Sequence, residues 1–530
     1  MFVRVKRAGG HEYLQLAENR WVDGRSRQRI IATLGRLDRL QADGQVEVLL
    51  RSLGRFSDQV QVQEAHARGD LEILNVRHVG PALVFGRLWK KLQIDRILNE
   101  LLAKRRFSFD VERAIFSTVI HRLFESGSDR QGMRFLRDVD VPGSDDLELH
   151  HLYRAMRWLG ENKDEVEKRL FAAHRDLFTQ LRLVFFDTTS FYFEGDGGEE
   201  LGRYGHSKDH RPDRRQVVVG ALLTQTGRPL SCTVKPGNQA DVTALLPVVD
   251  RARERFGLTE VCFVADRGMV SGEVIEALEQ RGMGYILGMR MRSVKEIREQ
   301  VLCHPGRYQE VADNLRVKQV QIGDRRYIVC RNPHQAKKDA EDRDAIVEML
   351  EKKLKSGAKA LVGNRGFRRY LSADRAAMRL DPQKIESEAR YDGKWVLRTN
   401  TDLPAKEVAL QYKQLLGVER LFRSAKSLLE TRPIYHRLDT TITGHIFCSF
   451  LALLLMHELN ERICQREEHL EWADILRDLC ALEEVVVRHH DTDYILRSPV
   501  QGVCGKVFQA AGVAIPPSVR PAELPSAKTS

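Results

Sequence analysis

None of the eight cysteines, at positions 232, 262, 303, 330, 448, 464, 480 and 504, stands in a Cys-x-x-Cys pair. That absence argues against a structural zinc, which needs ligands at short fixed spacing. The start of the sequence does not read as a secretory leader, so a disulfide framework is not expected either. The cysteines read as reduced, mostly buried thiols of a cytosolic protein. Long apolar runs are missing too. The most apolar stretch, Ile446 to Met456, covers eleven residues between His445 and His457. That is too short to cross a bilayer, and it reads as a core helix. There is no basic amphipathic helix and no lipid anchor, the usual means of holding an acidic membrane. No internal repeat is found.

What is present is the composition of a globular protein: 42% hydrophobic, 30% charged and 7% aromatic residues over 530 positions. This excludes a largely disordered or low-complexity chain, and the length implies three or four domains. Lysine and arginine number 85 against 74 acidic residues, a formal charge of +11. The surplus favours an anionic partner such as nucleic acid.

Along the chain the patterning changes several times. Residues 1–75 form a small basic β-rich region, with short alternating runs on either side of Gly9-Gly10 as a hairpin signal. Its arginines at 4, 20, 25, 27 and 29 make either a phosphate-contacting arm or the solvated face of a small sheet. Residues 76–180 carry helical periodicity at Ile94–Leu102, Val111–Phe124 and Leu149–Leu159, and read as a helical DNA-binding region. Around 181 continuous apolar runs begin. Leu183-Val184-Phe185-Phe186 and Val261-Cys262-Phe263-Val264-Ala265 have the character of strands buried on both faces. With strands at 216–223, 230–234 and 285–288 and helices from 241 and 271, the order is β-β-β-α-β-α-β, a mixed α/β sheet with a meander at one side. Residues 291–403 break the alternation and read as a β-rich insertion. A single long helix is expected from Pro404 to about Arg432, within a segment 404–480, and 481–530 is expected to end in a flexible tail of about fifteen residues.

Three carboxylates lie where carboxylates are costly. Asp187 closes the first buried run and Asp266 the second, and an acid there needs a partner or a metal. Asp187 lies inside a strand, and Asp266 falls at the carboxyl end of one, where open α/β sheets place ligands. If the strands are neighbours the two acids converge and repel, and Mg²⁺ is the hard cation that all-oxygen ligands favour. Glu419 is the third. On a continuous helix Tyr412, Glu419 and Lys426 fall seven residues apart in one line, among Val408, Leu415, Leu416 and Phe422. The competing reading is a surface pair of Glu419 with Arg423, worth a few tenths of a kcal/mol. Gly417 inside this helix costs up to about 1 kcal/mol, which points to close packing or a contact. His206 and His210 lie in a basic loop, with phosphate contact and a plain surface role both open. Asp241 reads as a helix N-cap rather than as a fourth ligand.

In these residues the sequence resembles the DDE transposases, nearest the insertion-sequence-four type. The resemblance rests on Asp187 in FFDTTSFYFE, Asp266 in VADRGM and Glu419 in YKQLLGVERLFRSAK, separated by 79 and 153 residues. GHSKDHRPDRRQ at 205–216, KPGNQAD at 235–241 and RPIYHR with GHIFCSFLALLL at 432–455 add to it. Leu415 stands where the group's helix signature has arginine, and Arg420 or Arg423 are the candidate substitutes.

The resemblance implies an RNase H-like mixed-sheet catalytic core at 181–290 and 404–480, interrupted by the insertion. It implies two Mg²⁺ ions, with Mn²⁺ able to substitute, held by Asp187, Asp266 and Glu419. Tyr412, Lys426, Arg423 and Arg420 would contact DNA, with Lys426 about 10 Å along the helix from Glu419. The implied partners are double-stranded DNA as element ends and target, and a second copy when assembled on DNA. A membrane is not among them. Trp395 reads as a core residue, with stacking on an extruded base as the alternative. The implied activity is cleavage at the ends of a mobile element and joining to target DNA. An RNase H-like nuclease without strand transfer, or a non-catalytic DNA-binding descendant, are the other readings.

Overall fold

The computed structural model describes residues 1–22, 25–54, 58–70, 72–174, 183–256, 261–356, 367–374, 377–489 and 492–522. The chain divides into two compact units. One comprises Met1–Gly80, Arg477–Gly505 and Ala514–Ser530, the other Pro81–Leu476 and Lys506–Val513.

The first unit begins with an antiparallel sheet of β1 (Phe2–Ala8), β2 (His11–Val22) and β3 (Arg25–Arg36). β1 and β2 meet at Gly9-Gly10, the hairpin expected from the sequence. β4 (Glu72–His78) follows three helices, Leu37–Ala42, Gln45–Gly54 and Asp58–Arg68.

In the second unit, β5 (Leu183–Tyr192), β6 (Gln216–Thr224), β7 (Pro229–Pro236), β8 (Cys262–Ala265) and β9 (Gly284–Met289) form the centre of one sheet. β5, β8 and β9 run parallel, while β6 and β7 are the antiparallel meander. Every residue of β6 and β8 is buried, as their uninterrupted apolar runs require. The strands β10 (Gln309–Ala312), β11 (Leu315–Ile322), β12 (Arg325–Arg331) and, after the small β13–β14 hairpin (Leu371–Asp374, Ala377–Leu380), β15 (Lys394–Thr399) do not form a sheet of their own. They extend the central one, giving the order β10-β11-β12-β15-β9-β8-β5-β6-β7. The segment read as a β-rich insertion thus continues the central sheet. β9 would otherwise end the sheet with its backbone groups unpaired, and β15 pairs along it from Met289↔Val396 to Ile286↔Thr399.

Behind β7 lies a helical layer. Helix Val111–Phe124 is buried along almost its whole length, as the core of the layer rather than as a DNA-facing surface. Helices Leu149–Ala173 and Asp439–Cys464 approach backbone to backbone. A Cβ on Gly160 would lie 1.8 Å from the Thr440 carbonyl oxygen, and one on Gly444 1.8 Å from that of Met156. Helix Asp439–Cys464 is long and apolar enough to cross a membrane by length and composition, but it is mostly buried inside the unit. It is a core helix, longer than the eleven-residue run suggested.

The chain then returns to the first unit, where β16 (Glu483–His489), β17 (Thr492–Arg497) and β18 (Val519–Pro521) complete a sheet of order β18-β17-β16-β4. The expected tail therefore starts later, because Pro521 pairs with Tyr494. Residues 523–530 lie outside the described residues, as does the expected boundary at 180–181. Among the described residues no disulfide is formed; five cysteines are buried, and Cys303 and Cys464 are exposed.

Candidate active site

β5 and β8 lie side by side in parallel with Phe186 opposite Ala265. Asp187, midway along β5, and Asp266, just past the carboxyl end of β8, are the next residues on each, so both acids stand at the same level. They share with Glu419 a cleft of about 400 Å³, also lined by Arg267, Trp395, Tyr412 and Lys413. The three acids singled out from the sequence thus open onto one space. They are not a closed cage: among the described residues no three acidic, histidine or cysteine side chains are grouped closely enough to hold a metal ion.

Asp187 accepts a hydrogen bond from its neighbour, Thr188 N, at 2.6 Å. Burial pushes its carboxyl up to about 6, opposed by the Lys208 ammonium and assisted by the like charges of Asp266 and Asp241. Asp266 accepts from the Tyr412 hydroxyl, Oη to Oδ1 at 2.7 Å. Burial and the Asp266 charge push the Tyr412 phenol well above its ordinary value. The tyrosine reaches the acid because residue 288 is glycine: a Cβ there would stand 2.3 Å from Tyr412 Oη. Behind Asp266, the Arg290 guanidinium donates to the Arg267 and Gly268 carbonyls, both at 3.1 Å, and fixes the turn that carries the acid.

Three polar residues around Asp187 (Thr188, Lys208 and Asp241) were not assigned to the site from the sequence. Thr188 Oγ1 donates to Asp241 Oδ1 at 2.7 Å, and Lys208 Nζ stands 3.2 Å from Asp241 Oδ2 while donating to the Thr188 carbonyl at 2.8 Å. Asp241 is not the N-cap expected of it: it opens a 3-10 turn capped by Ala240, and the helix proper starts at Leu245. The usable signal was the motif GHSKDH, whose lysine is this Lys208.

The segment after Pro404 is two helices, Ala405–Lys413 and Leu416–Ser427. Between them Leu415, Gly417 and Val418 bond back three residues instead of four, which tightens the chain. The straight line through Tyr412, Glu419 and Lys426 is therefore broken. Tyr412 and Glu419 both face the cleft, but Tyr412 spends its hydroxyl on Asp266 rather than on a phosphate. Lys426 points elsewhere: Nζ bonds Asp209 Oδ1 at 2.8 Å, in a pair whose side chains are 15% and 4% exposed. Its expected role as a free phosphate contact is corrected accordingly. Arg420 and Arg423 are exposed and do not line the cleft, and among the described residues Glu419 forms no ion pair with Arg423. Leu416, expected on the apolar stripe, is 50% exposed, whereas Val408, Leu415 and Phe422 are buried. Nothing packs within 4 Å of where a Cβ on Gly417 would sit, so no close contact accounts for that glycine. Trp395 is half-buried on the cleft wall rather than in the core. His206 and His210 are exposed.

Residues 179–455 match the family model described as "Transposase DDE domain", and residues 2–65 match "IS1634 family transposase, N-terminal domain". No curated protein matches the chain. Among solved structures, a piggyBac transposase synaptic complex with hairpin DNA is similar at 12% identity and a TM-score of 0.35, over 76% of this chain and 79% of that one. A Mos1 transposase paired-end complex with the left transposon end is similar at 11% identity and a TM-score of 0.15, over 34% and 60%.

Proposed function

The chain belongs to the DDE transposases of bacterial insertion sequences, in the IS1634 family, enzymes that cut and join DNA ends; on that premise we propose that Asp187, Asp266 and Glu419 are the carboxylates that carry its chemistry. The observation that supports this most is the level pairing of Asp187 and Asp266 on adjacent parallel strands, in one cleft with Glu419. The strand order β7-β6-β5-β8-β9, with three parallel strands flanked by an antiparallel meander, supports reading the centre as the RNase H-like core.

Enzymes of this family use divalent metal ions. The donors proposed here, three carboxylates, fit a hard cation. Burial and like charge already disfavour ionisation of Asp187, a situation that a cation relieves. Asp187 and Asp266 would hold Mg²⁺, or Mn²⁺ in its place, and Glu419 would complete the oxygen set of a two-ion site. When bound, the ions supply Lewis acidity for an in-line displacement at phosphorus, activating a water or a terminal 3′-hydroxyl and stabilising the departing oxygen.

The protein's own groups set the stage. Tyr412 holds one oxygen of Asp266 and so fixes the rotation of that carboxylate. Lys208 and Asp241 pin Thr188, and with it the backbone beside Asp187. Arg267 and Lys413 bring positive charge to the cleft wall for the DNA backbone, and the exposed Arg420 and Arg423 extend it along the helix surface. The partners in this reading are the element's terminal repeats and a target duplex, with two copies of the chain pairing two ends, in the bacterial cytoplasm.

The test is cleavage of duplexes carrying the element's ends in the presence of Mg²⁺. Asp187→Asn, Asp266→Asn and Glu419→Gln should each abolish cutting and leave DNA binding largely intact. Full activity in any one of them removes that residue from the site.

A further inference from the structure

Glu419 has little of its own to hold it in place. Its side chain is exposed and, among the described residues, makes no ion pair and no side-chain hydrogen bond. It stands in the first turn of helix Leu416–Ser427, just after the tightened joint at Leu415–Val418. Its reach toward Asp187 and Asp266 therefore depends on how that helix is anchored.

Val418, Phe422 and Ala425 bury one side of the helix, but apolar burial is non-directional and fixes no exact position. The directional anchor lies at the far end. Among the described residues Lys426 is the one charged side chain of this helix in an ion pair: its Nζ donates to Asp209 Oδ1 at 2.8 Å and lies 5.8 Å from the ring centre of Phe191 on β5. Arg432 Nε stands 3.4 Å from the same oxygen, and Asp209 is only 4% exposed.

Asp209 belongs to the GHSKDH loop, and its neighbour ties that loop to β5. Lys208 N donates to Ser190 Oγ at 2.9 Å, and Lys208 Nζ donates to the Thr188 carbonyl and to Thr188 Oγ1, both at 2.8 Å. Ser207 Oγ closes the turn by accepting from Asp209 N at 3.3 Å and Arg211 N at 3.0 Å. Two adjacent residues thus hold different elements, Lys208 the strand of Asp187 and Asp209 the helix of Glu419. One planar peptide joins them, so neither element can shift without straining the other. Neither residue lines the catalytic cleft.

We propose that Lys208 and Asp209 form a clasp, a pair of positioning residues that sets the reach of Glu419 toward a metal held by Asp187 and Asp266. The inference rests on the reading of the three acids as the metal-binding set.

The experiment titrates the full chain, without DNA, with Mn²⁺ and follows the free ion by electron paramagnetic resonance. Asp209→Asn combined with Lys426→Met removes both charges together, so the net charge near the acids is kept and no buried ion is stranded. This variant should bind Mn²⁺ about tenfold more weakly than wild type, the scale of losing a group that orients a metal ligand. In the Glu419→Gln background the same two substitutions should change the affinity by less than about twofold, because the clasp reaches the ion only through Glu419. Asp209→Asn alone, which keeps the shape of the loop, should weaken binding in the same direction and serves if the double variant does not fold. Wild-type affinity in these variants overturns the proposal. So does an equal loss in the two backgrounds, which is what general loosening of the fold would give. A wild type that binds no Mn²⁺, or a Glu419→Gln chain that binds it as tightly as wild type, overturns the metal-site reading and the proposal together.

Discussion

Gly288→Ala is the sharpest probe of the cleft, because the added methyl meets the Tyr412 hydroxyl before anything else, with the Arg267 backbone nitrogen next at 3.0 Å. The new Cβ would stand 2.3 Å from Tyr412 Oη and 3.1 Å from its Cζ. The ring is held in a buried slot, so the hydroxyl has to leave Asp266. The loss of a hydrogen bond to a charged group costs about 1.5–3 kcal/mol, and residual overpacking adds about 1 kcal/mol. Tyr412→Phe alone removes the same bond and should cost about 1.5–3 kcal/mol. In the Tyr412→Phe background the hydroxyl clash is gone, and contacts of 3.1 Å with the ring carbon and 3.0 Å with the Arg267 backbone nitrogen remain. Gly288→Ala should then cost only about 1 kcal/mol more. The double-mutant cycle should therefore show a coupling of about 2 kcal/mol between residues distant in sequence. Urea unfolding followed by tryptophan fluorescence measures it, with Trp395 in the same cleft as a local reporter. Additivity within about 0.5 kcal/mol would refute the claim that this glycine exists to admit the tyrosine.

Three further outcomes are expected. The Asp187 carboxyl is raised by burial from 3.8 to about 6, so its contribution to stability is fully present below about pH 4 and is lost as pH rises through 6. Metal-free Asp187→Asn should accordingly match wild type at pH 4 and exceed it by about 3 kcal/mol at pH 8; added Mg²⁺ should narrow that gap, and a pH-independent difference in thermal unfolding would contradict it. Lys426→Ala should destabilise the fold by about 2–4 kcal/mol, because it strips a buried acid of its closest partner, and adding Asp209→Asn should recover part of the loss in urea unfolding; wild-type stability of the single variant would refute the pair. Truncation after residue 476 should expose β4 by removing β16, β17 and β18, seen as faster amide exchange across residues 72–78; unchanged protection there would contradict the sheet order.

The parts of the site that could be read from the sequence were those announced by local pattern. Leu183–Phe186 and Val261–Ala265 are apolar on both faces, so a carboxylate directly after each was visible as an anomaly. Lys208 and Asp241 showed only as members of the motifs GHSKDH and KPGNQAD, since their bonds to Thr188 span 20 and 53 residues through loops with no periodicity. Lys426 was misplaced because seven-residue spacing assumes an unbroken helix. Neither Gln414 nor Leu415 is a helix breaker, and the tightening there answers to packing on both sides. The union of β15 with β9 was equally hidden, because partner choice between distant strands depends on which edge is left bare.

That union has a mechanical consequence. Trp395 sits on β15, and the hydrogen-bond ladder from β15 through β9 to β8 is continuous up to the strand that ends at Asp266. The tryptophan wall, Asp266 and, on the next strand, Asp187 are thus parts of one stiff plate, with no hinge between them along the ladder. A jaw that closed on DNA by swinging the β15 side would have to shear that ladder. The deformation needed to bring a scissile phosphate to the acids therefore falls on the softer body in the encounter, the nucleic acid.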